Sequence, residues 1–133
     1  MLFSRSTQYA LQALVKVSET DQGEYVTVTD LSDEIDVPKE FLAKIFQELA
    51  KRGILESRRG RGGGFRLSRP PGEIDIYEIV ELIDGTQPMS GCIFDGKTCH
   101  PEDPCPLHNE WIEIREEIID FTRRNSVKDL AGG

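Results

Sequence analysis

Several features are scarce in this 133-residue sequence, and each scarcity excludes a class of protein. The sequence contains no run of about 18 apolar residues, so we expect no membrane-spanning helix. Its first residues lack the apolar core of a signal peptide. Only three cysteines are present, and an odd number argues against a disulfide framework. A reducing compartment suits such a chain, and we expect a cytoplasmic protein.

Catalytic signatures are also missing. The sequence shows no nucleophile–base pair and no carboxylate pair that stands out. Its two histidines, His100 and His108, both lie in the segment that holds the cysteines. An enzyme is therefore the least favoured class of function.

Acidic residues outnumber basic ones overall, but much of the positive charge is concentrated in one segment. The formal net charge is -8, which is unfavourable for a nucleic-acid-binding protein. Between Lys51 and Arg69, however, seven cations accompany one acid, Glu56, so this segment carries +6 and the remainder -14. Such a segment can bind phosphate locally, although a solvated charged hairpin would have the same composition. The charge alone leaves both interpretations open.

Apolar periodicity predicts a helix-turn-helix before and into this segment. A first helix is predicted over residues 6–18, a short helix over 28–35 and a longer helix over 38–52, with residues 36–37 as the turn. Because two-helix hairpins also occur as plain core elements, this outline is a weak signal by itself.

Local signals support these boundaries. Thr27 and Asp30 resemble a capping pair before the short helix. Pro38 suits the first position of the longer helix, where its missing N–H costs nothing. Gly53 suits a left-handed residue at the end of that helix.

A glycine-rich hairpin comes next. Residues 54–58 and 65–68 alternate apolar and polar side chains, as half-buried strands do. The sequence Arg-Gly-Arg-Gly-Gly-Gly lies between them at 59–64. Arginine at a flexible tip can enter a narrow minor groove, and glycine lets the backbone approach the sugar–phosphate chain. A nucleotide-binding glycine loop is set aside, because its lysine and its strand-to-helix context are missing.

The last long helix, predicted over residues 107–124, carries a wide apolar stripe. The stripe consists of Trp111, Ile114, Ile118 and Phe121, with Ile112 and Ile119 beside it. This helix could pack only on its own domain. We favour a homodimer, because reading two half-sites in double-stranded DNA needs two-fold symmetry.

These elements predict a mainly α fold with a small β wing. A winged helix-turn-helix domain is predicted at 1–85, ending with a helix over 76–84 that Asp75 and Glu78 cap. A cysteine-rich loop, whose proposed ligand follows from the spacing described next, is predicted at 86–107. The dimerisation helix and a C-terminal tail are predicted at 108–133.

Three cysteines and a histidine lie close together in a segment rich in glycine and proline: Cys92, Cys99, Cys105 and His108. Zinc sites usually show two tight Cys-x-x-Cys pairs, and this segment has none. Long, even spacing is better suited to an iron–sulfur cluster held by thiolates. Zinc and bare thiols stay open as alternatives.

Three cysteines leave a four-ligand cluster one ligand short. His108, three residues after Cys105, can share one face of a helical turn with it and is the first candidate. The alternatives are His100, a group from the first helix of a partner subunit, or a nearby carboxylate. The nearby carboxylates are Asp95, Glu102 and Asp103.

Several motifs are specific in combination: RSTQYAL at 5–11, FLAKIFQEL at 41–49, GIL at 53–55, RRGRGGGFRL at 58–67, and the late cysteines. With these motifs the chain resembles, nearly end to end, the Rrf-two family of bacterial winged-helix transcription regulators. The resemblance is to the iron–sulfur branch of that family, the IscR- and NsrR-type proteins.

The resemblance implies a homodimer that binds operator DNA and carries a 2Fe–2S or 4Fe–4S cluster on Cys92, Cys99 and Cys105. One branch of the family uses a histidine three residues after the last cysteine, which matches His108. Another branch uses an acidic residue in the first helix of the partner, where this chain has Gln8. The resemblance therefore favours His108 as the fourth ligand.

The recognition helix is expected to place Lys39, Glu40 and Lys44 near base edges and phosphates. The wing arginines are expected in the minor groove, and two hydroxyl side chains are expected on phosphates. The full set of expected DNA-contacting residues is Thr29, Lys39, Glu40, Lys44, Ser57, Arg58, Arg59, Arg61, Gly62 and Gly63.

The predicted function is a DNA-binding transcriptional regulator, acting as a repressor. Its operator binding is expected to respond to redox state, nitric oxide or iron, because the cluster orders a loop too poor in apolar residues to fold alone. One alternative is a regulator whose cysteines bind zinc or act as bare thiols. Another is a small iron–sulfur carrier that binds no DNA, although the arginine-rich wing would have no use there.

Overall fold

The computed structural model describes residues 3–21, 23–86, 91–92 and 102–133. The helices in this part of the chain are α1 (Arg5–Ser18), α2 (Val28–Ile35), α3 (Lys39–Lys51), α4 (Ile76–Asp84), α5 (His108–Arg124) and α6 (Val127–Leu130). Strands β1 (Leu55–Arg58) and β2 (Gly64–Leu67) form an antiparallel hairpin, and a short 3-10 helix spans Pro71–Glu73. The prediction of a mainly α fold with a small β wing is confirmed. None of the described helices is long and apolar enough to cross a membrane.

Helices α2 and α3 and the turn between them form the helix-turn-helix. The side-chain oxygen of Thr27 accepts a hydrogen bond from the backbone N–H of Asp30 at 3.1 Å and so caps α2. Asp36 ends α2 in the left-handed conformation, with φ 55°, which a short polar side chain tolerates. The sequence predicts Pro38 as the first helical residue, but its ψ of 133° is extended. Pro38 is therefore the N-cap residue, and α3 begins one residue later.

Helices α1, α2 and α3 share one hydrophobic core with the hairpin. The apolar stripe of α3 is buried there, with Leu42, Phe46 and Leu49 fully shielded from solvent. Phe46 also meets Phe65 of β2 edge to face, with ring centroids 5.2 Å apart. The hairpin is therefore packed on the helix that precedes it. Gly53, with φ 77°, makes the sharp exit from α3 as the predicted left-handed residue.

The segment between α1 and α2 pairs with the outer edge of β2 through one residue, Val26. Val26 and Phe65 exchange two backbone hydrogen bonds, each 2.8 Å long. Gly64 has φ 135°, and a Cβ at this position would lie 2.3 Å from the carbonyl oxygen of Val26. Only glycine permits this approach. Val26 therefore joins the hairpin as a single-residue bridge.

Helix α4 joins the core to the C-terminal helices. Asp75 and Glu78 form the predicted capping box at its start. The backbone N–H of Val127, at the start of α6, donates to the carbonyl oxygen of Ile74 at 2.9 Å. Because Val127 is itself part of the core that contains α1, the end of the chain folds back onto the helix-turn-helix unit.

Helix α5 packs on α4 through a second, smaller core. Ile119 lies there against Ile76 and Val80. The guanidinium of Arg123 stacks 4.4 Å from the ring centroid of Tyr77 on α4. These contacts hold the C-terminal half of α5 to α4.

Replacing Gly64 by alanine is expected to destabilise the protein by about 2–4 kcal/mol, because the substitution adds both backbone strain and a steric clash with Val26. Thermal unfolding followed by circular dichroism measures the destabilisation. Gly60→Ala is the matched control: φ is also positive, at 87°, but no atom lies within 4 Å of the position that its Cβ would take. A destabilisation by Gly64→Ala no larger than that by Gly60→Ala would contradict the close approach.

Candidate DNA interface and cysteine segment

Nine of the ten residues expected to contact DNA are exposed. They are Thr29, Lys39, Glu40, Lys44, Ser57, Arg58, Arg59, Arg61 and Gly62. The tenth, Gly63, is buried, and a Cβ there would lie 2.2 Å from the backbone oxygen of Arg58. The backbone N–H of Gly63 donates to the carbonyl oxygen of Gly60 at 3.0 Å. A glycine at position 63 is therefore required by the hairpin turn itself.

The outward face of α3 forms a shallow depression. It is lined by Pro38, Glu40, Phe41, Ala43, Lys44 and Gln47. Gln47 is exposed one turn after Lys44, so the helical period could have identified it from the sequence. Its amide is a group that can pair with adenine in the major groove.

The seven cations of the basic segment fall into two groups. Three of them form ion pairs: Lys51 with Glu48 at 3.6 Å, Arg66 with Glu56 at 2.8 Å, and Arg69 with Glu78 at 2.8 Å. Within the described ranges, the other four form no ion pair: Arg52, Arg58, Arg59 and Arg61. These four cations, at the end of α3 and along the hairpin, are the ones available to phosphate.

The hairpin register separates two of the expected DNA contacts. Ser57 pairs with Phe65 and so points to the same side as that core residue. Glu56, Arg58 and Arg66 lie on the opposite side, because side chains alternate along a strand and Glu56 pairs with Arg66. Ser57 and Arg58 therefore face different surroundings.

Tyr25 covers this arginine-bearing face, although no sequence signal marks it. The guanidinium carbon of Arg66 lies 4.6 Å from the ring centroid, and that of Arg58 lies 5.7 Å from it. Arg66 also donates from Nε to Glu56 at 2.8 Å and from Nη1 to the carbonyl oxygen of Gly23 at 3.2 Å. The hydrogen bond to Glu56 raises the pKa of Arg66 above its ordinary value.

Two of the three cysteines lie in the described residues, and Cys99 lies outside them. Cys92, Cys105 and His108 are each half-buried. The backbone N–H of His108 donates to the carbonyl oxygen of Cys105 at 3.0 Å, so these two residues belong to one turn. No group of three or more His, Cys, Asp or Glu side chains that could hold a metal ion occurs within the described part of the chain.

A backbone carbonyl joins the chain beside Cys92 to helix α5. The indole N–H of Trp111 donates to the oxygen of Gly91 at 2.8 Å, and Nη1 of Arg115 reaches the same oxygen at 3.4 Å. Trp111 lies one helical turn beyond His108. The backbone next to Cys92 therefore lies against the end of α5 that carries His108.

The apolar stripe of α5 is divided between two surroundings. Ile119 is buried against α4. Leu107, Ile114 and Phe121 are 55%, 53% and 49% exposed. These three large side chains recur every seven residues, and such spacing brings apolar groups onto one side of a helix, as in a helix–helix interface.

A helix-turn-helix followed by an arginine-tipped hairpin defines the chain as a winged-helix DNA-binding protein. The Rrf2 family, described as an iron-dependent transcriptional regulator, matches residues 3–133. The chain belongs to this family. It is a DNA-binding transcriptional regulator and not an enzyme.

Two relatives agree with this assignment. A protein of Aquifex aeolicus whose name describes an HTH-type transcriptional regulator is 34% identical over 132 residues, 98% of this chain and 91% of its own. The HTH-type transcriptional regulator IscR of Xenorhabdus nematophila is 30% identical over 131 residues, 98% of this chain and 79% of its own.

Two solved structures share the fold. CymR, the global cysteine regulator of B. subtilis, has a TM-score of 0.82 at 21% identity, covering 97% of this chain and 95% of its own. IscR of T. potens has a TM-score of 0.76 at 20% identity, covering 96% of this chain and 83% of its own.

Proposed function

We propose that this regulator is a homodimeric repressor whose operator binding is controlled by an iron–sulfur cluster. Cys92, Cys99, Cys105 and His108 would hold the cluster. The observation that carries the proposal is the convergence of Cys105, His108 and the backbone beside Cys92 on the first turns of α5. The same helix presents the exposed apolar stripe.

The residues present fit such a group in their chemistry. Thiolates are the ligands that iron–sulfur clusters take, and histidine is an accepted replacement for some of them. Cys92, Cys105 and His108 are half-buried, so they are shielded and still reachable by an incoming group. The name of the IscR relative and the iron-dependent description of the family support this choice over zinc.

When bound, the cluster would supply a redox-active link between separate parts of the chain. The chain itself connects that link to the DNA-binding unit. Trp111 holds the backbone beside Cys92, and Ile119, two turns further along α5, packs on α4. At the other end of α4, Asp84 accepts hydrogen bonds from the backbone N–H of Ser4, at 3.1 Å, and from its hydroxyl.

This connection places α1 in the same chain of contacts. Ser4 caps α1, and the segment after α1 leads to the Val26 bridge that holds the wing. A change in the order of the cysteine segment would therefore alter how α5 and the wing are placed relative to each other. A difference of about 1–3 kcal/mol between the two states is enough for a useful switch.

The wing is proposed to contact the minor groove through Arg59 and Arg61. Replacing both by alanine is expected to weaken DNA binding and to flatten the dependence of log K on log salt by about 0.9 for each phosphate that is no longer neutralised. Fluorescence anisotropy with a duplex from the region upstream of this protein's own gene measures both quantities. Thermal stability is expected to stay unchanged, because both side chains are exposed.

The control removes two cations from elements outside the hairpin, Lys16 on α1, which pairs with Glu19 at 3.5 Å, and Lys128 on α6. The control is expected to retain most of the affinity. An affinity for the wing variant equal to that of wild type, or an equally large decrease in the control, would refute the wing contact.

The exposed side chains of Leu107, Ile114 and Phe121, at the start of α5 and along it, are proposed to form the dimer interface. Replacing Ile114 and Phe121 together by glutamate is expected to give a monomer, because the interface would then bury two unpaired charges on each subunit. Sedimentation velocity at micromolar concentration measures the oligomeric state, with the exposed Glu116→Gln on the same helix as control. A monomeric wild type, or a double variant that still dimerises, would remove this surface from the proposal.

The cluster itself is tested by anaerobic purification with iron and sulfide analysis and visible absorption. Cys99→Ala is expected to abolish the chromophore and leave a folded dimer, and His108→Ala is expected to make the cluster labile. His100→Ala is the control and is expected to keep the cluster. A colourless wild-type protein with one zinc per chain would refute the cluster and show that the cysteines bind zinc. A colourless protein without metal would also refute the cluster and favour control by bare thiols.

A further inference from the structure

Tyr25 lies against the wing, although it is not one of the proposed DNA contacts. The residue is half-buried in the loop between α1 and α2. Its neighbour Val26 is held to Phe65 by two backbone hydrogen bonds of 2.8 Å. The position of the ring is therefore set by the same contact that sets the position of the hairpin.

Two arginines share this one ring. Arg66 lies 4.6 Å and Arg58 lies 5.7 Å from its centroid, both within the range of a cation–π contact. Two cations on one ring repel each other, and the carboxylate of Glu56 offsets this by pairing with Arg66 at 2.8 Å. Arg66 donates to the carbonyl oxygen of Gly23 as well, so it is engaged in holding the loop to the hairpin.

Arg58 is different. It is exposed, and within the part of the chain that the structure describes it lies in no ion pair. The contact with Tyr25 limits the directions that its long side chain can take. A cation that is already held in place loses less conformational freedom when it meets a phosphate.

We propose that Tyr25 is a positioning residue for DNA binding, whose ring holds Arg58 at the base of the wing for a phosphate contact. The proposal rests on the proposed role of the wing in DNA binding. The ring acts through Arg58 and makes no contact with DNA itself. A phosphate contact carries no sequence preference, so the effect applies to any duplex.

The test is a double-mutant cycle between positions 25 and 58. Tyr25→Leu removes the aromatic face and keeps an apolar side chain, whereas Tyr25→Phe keeps the face and serves as the matched control. Each is made alone and together with Arg58→Ala. Affinity for a mixed-sequence duplex of about three helical turns is measured by fluorescence anisotropy at several salt concentrations, and thermal unfolding is measured in parallel.

Tyr25→Leu is expected to weaken binding by about two- to five-fold, because an Arg58 side chain without the ring loses more conformational freedom when it meets a phosphate. Tyr25→Phe is expected to bind as wild type. In the Arg58→Ala background, Tyr25→Leu is expected to cause no further decrease in affinity. The salt dependence is expected to fall by about one phosphate contact for Arg58→Ala.

The proposal is overturned if Tyr25→Leu binds as wild type, or if its effect is equally large without Arg58. It is also overturned if Tyr25→Phe is as weak as Tyr25→Leu, since the hydroxyl would then be the active group. Failure of the wing assignment has a separate signature: Arg58→Ala itself, and the Arg59 and Arg61 variant, would bind as wild type.

Discussion

The backbone pairing of Val26 with Phe65 is the contact on which the DNA-binding half of the molecule depends. A two-stranded hairpin is at best marginally stable alone. Here, two backbone hydrogen bonds of 2.8 Å join Val26 to β2 as a single-residue third strand, and Phe65 packs on Phe46 in the core. The next residue, Thr27, caps α2. One short segment therefore sets both the wing and the start of the helix-turn-helix, and Gly64 is the residue that makes room for it.

Helix α5 has three parts with different surroundings. Its Ile119 side belongs to the packing on α4, and its Ile114 and Phe121 side is exposed. Its first turns carry His108, and the indole of Trp111 holds the backbone beside Cys92. A hydrogen bond to a shielded carbonyl is costly to leave unmade. The backbone beside Cys92 is therefore held to the first turns of α5.

Charge is arranged so that an acidic protein can still bind DNA at one place. The net charge of -8 repels a duplex from most of the surface. Ion pairs engage three of the seven cations of the basic segment, and the other four lie at the end of α3 and on the hairpin. Among the exposed arginines of the hairpin, Arg58 also contacts the ring of Tyr25, which restricts the directions that its side chain can take. A few exposed cations at one place can then bind DNA there, because the acidic remainder of the surface disfavours other orientations of the duplex.

Local signals in the sequence determined the helices 28–35 and 76–84, because caps and apolar periodicity act within a few residues. Pro38 was placed one residue too far into its helix, since the N-cap and first helical positions differ mainly in ψ. The fold class and the exposure of the basic residues on the recognition helix were likewise readable from periodicity and composition. Tertiary structure alone decided that Tyr25 lies on Arg58, that Trp111 bonds to Gly91, and which arginines are already paired. These contacts join residues far apart in the chain, and their formation depends on distances that only the packed elements define.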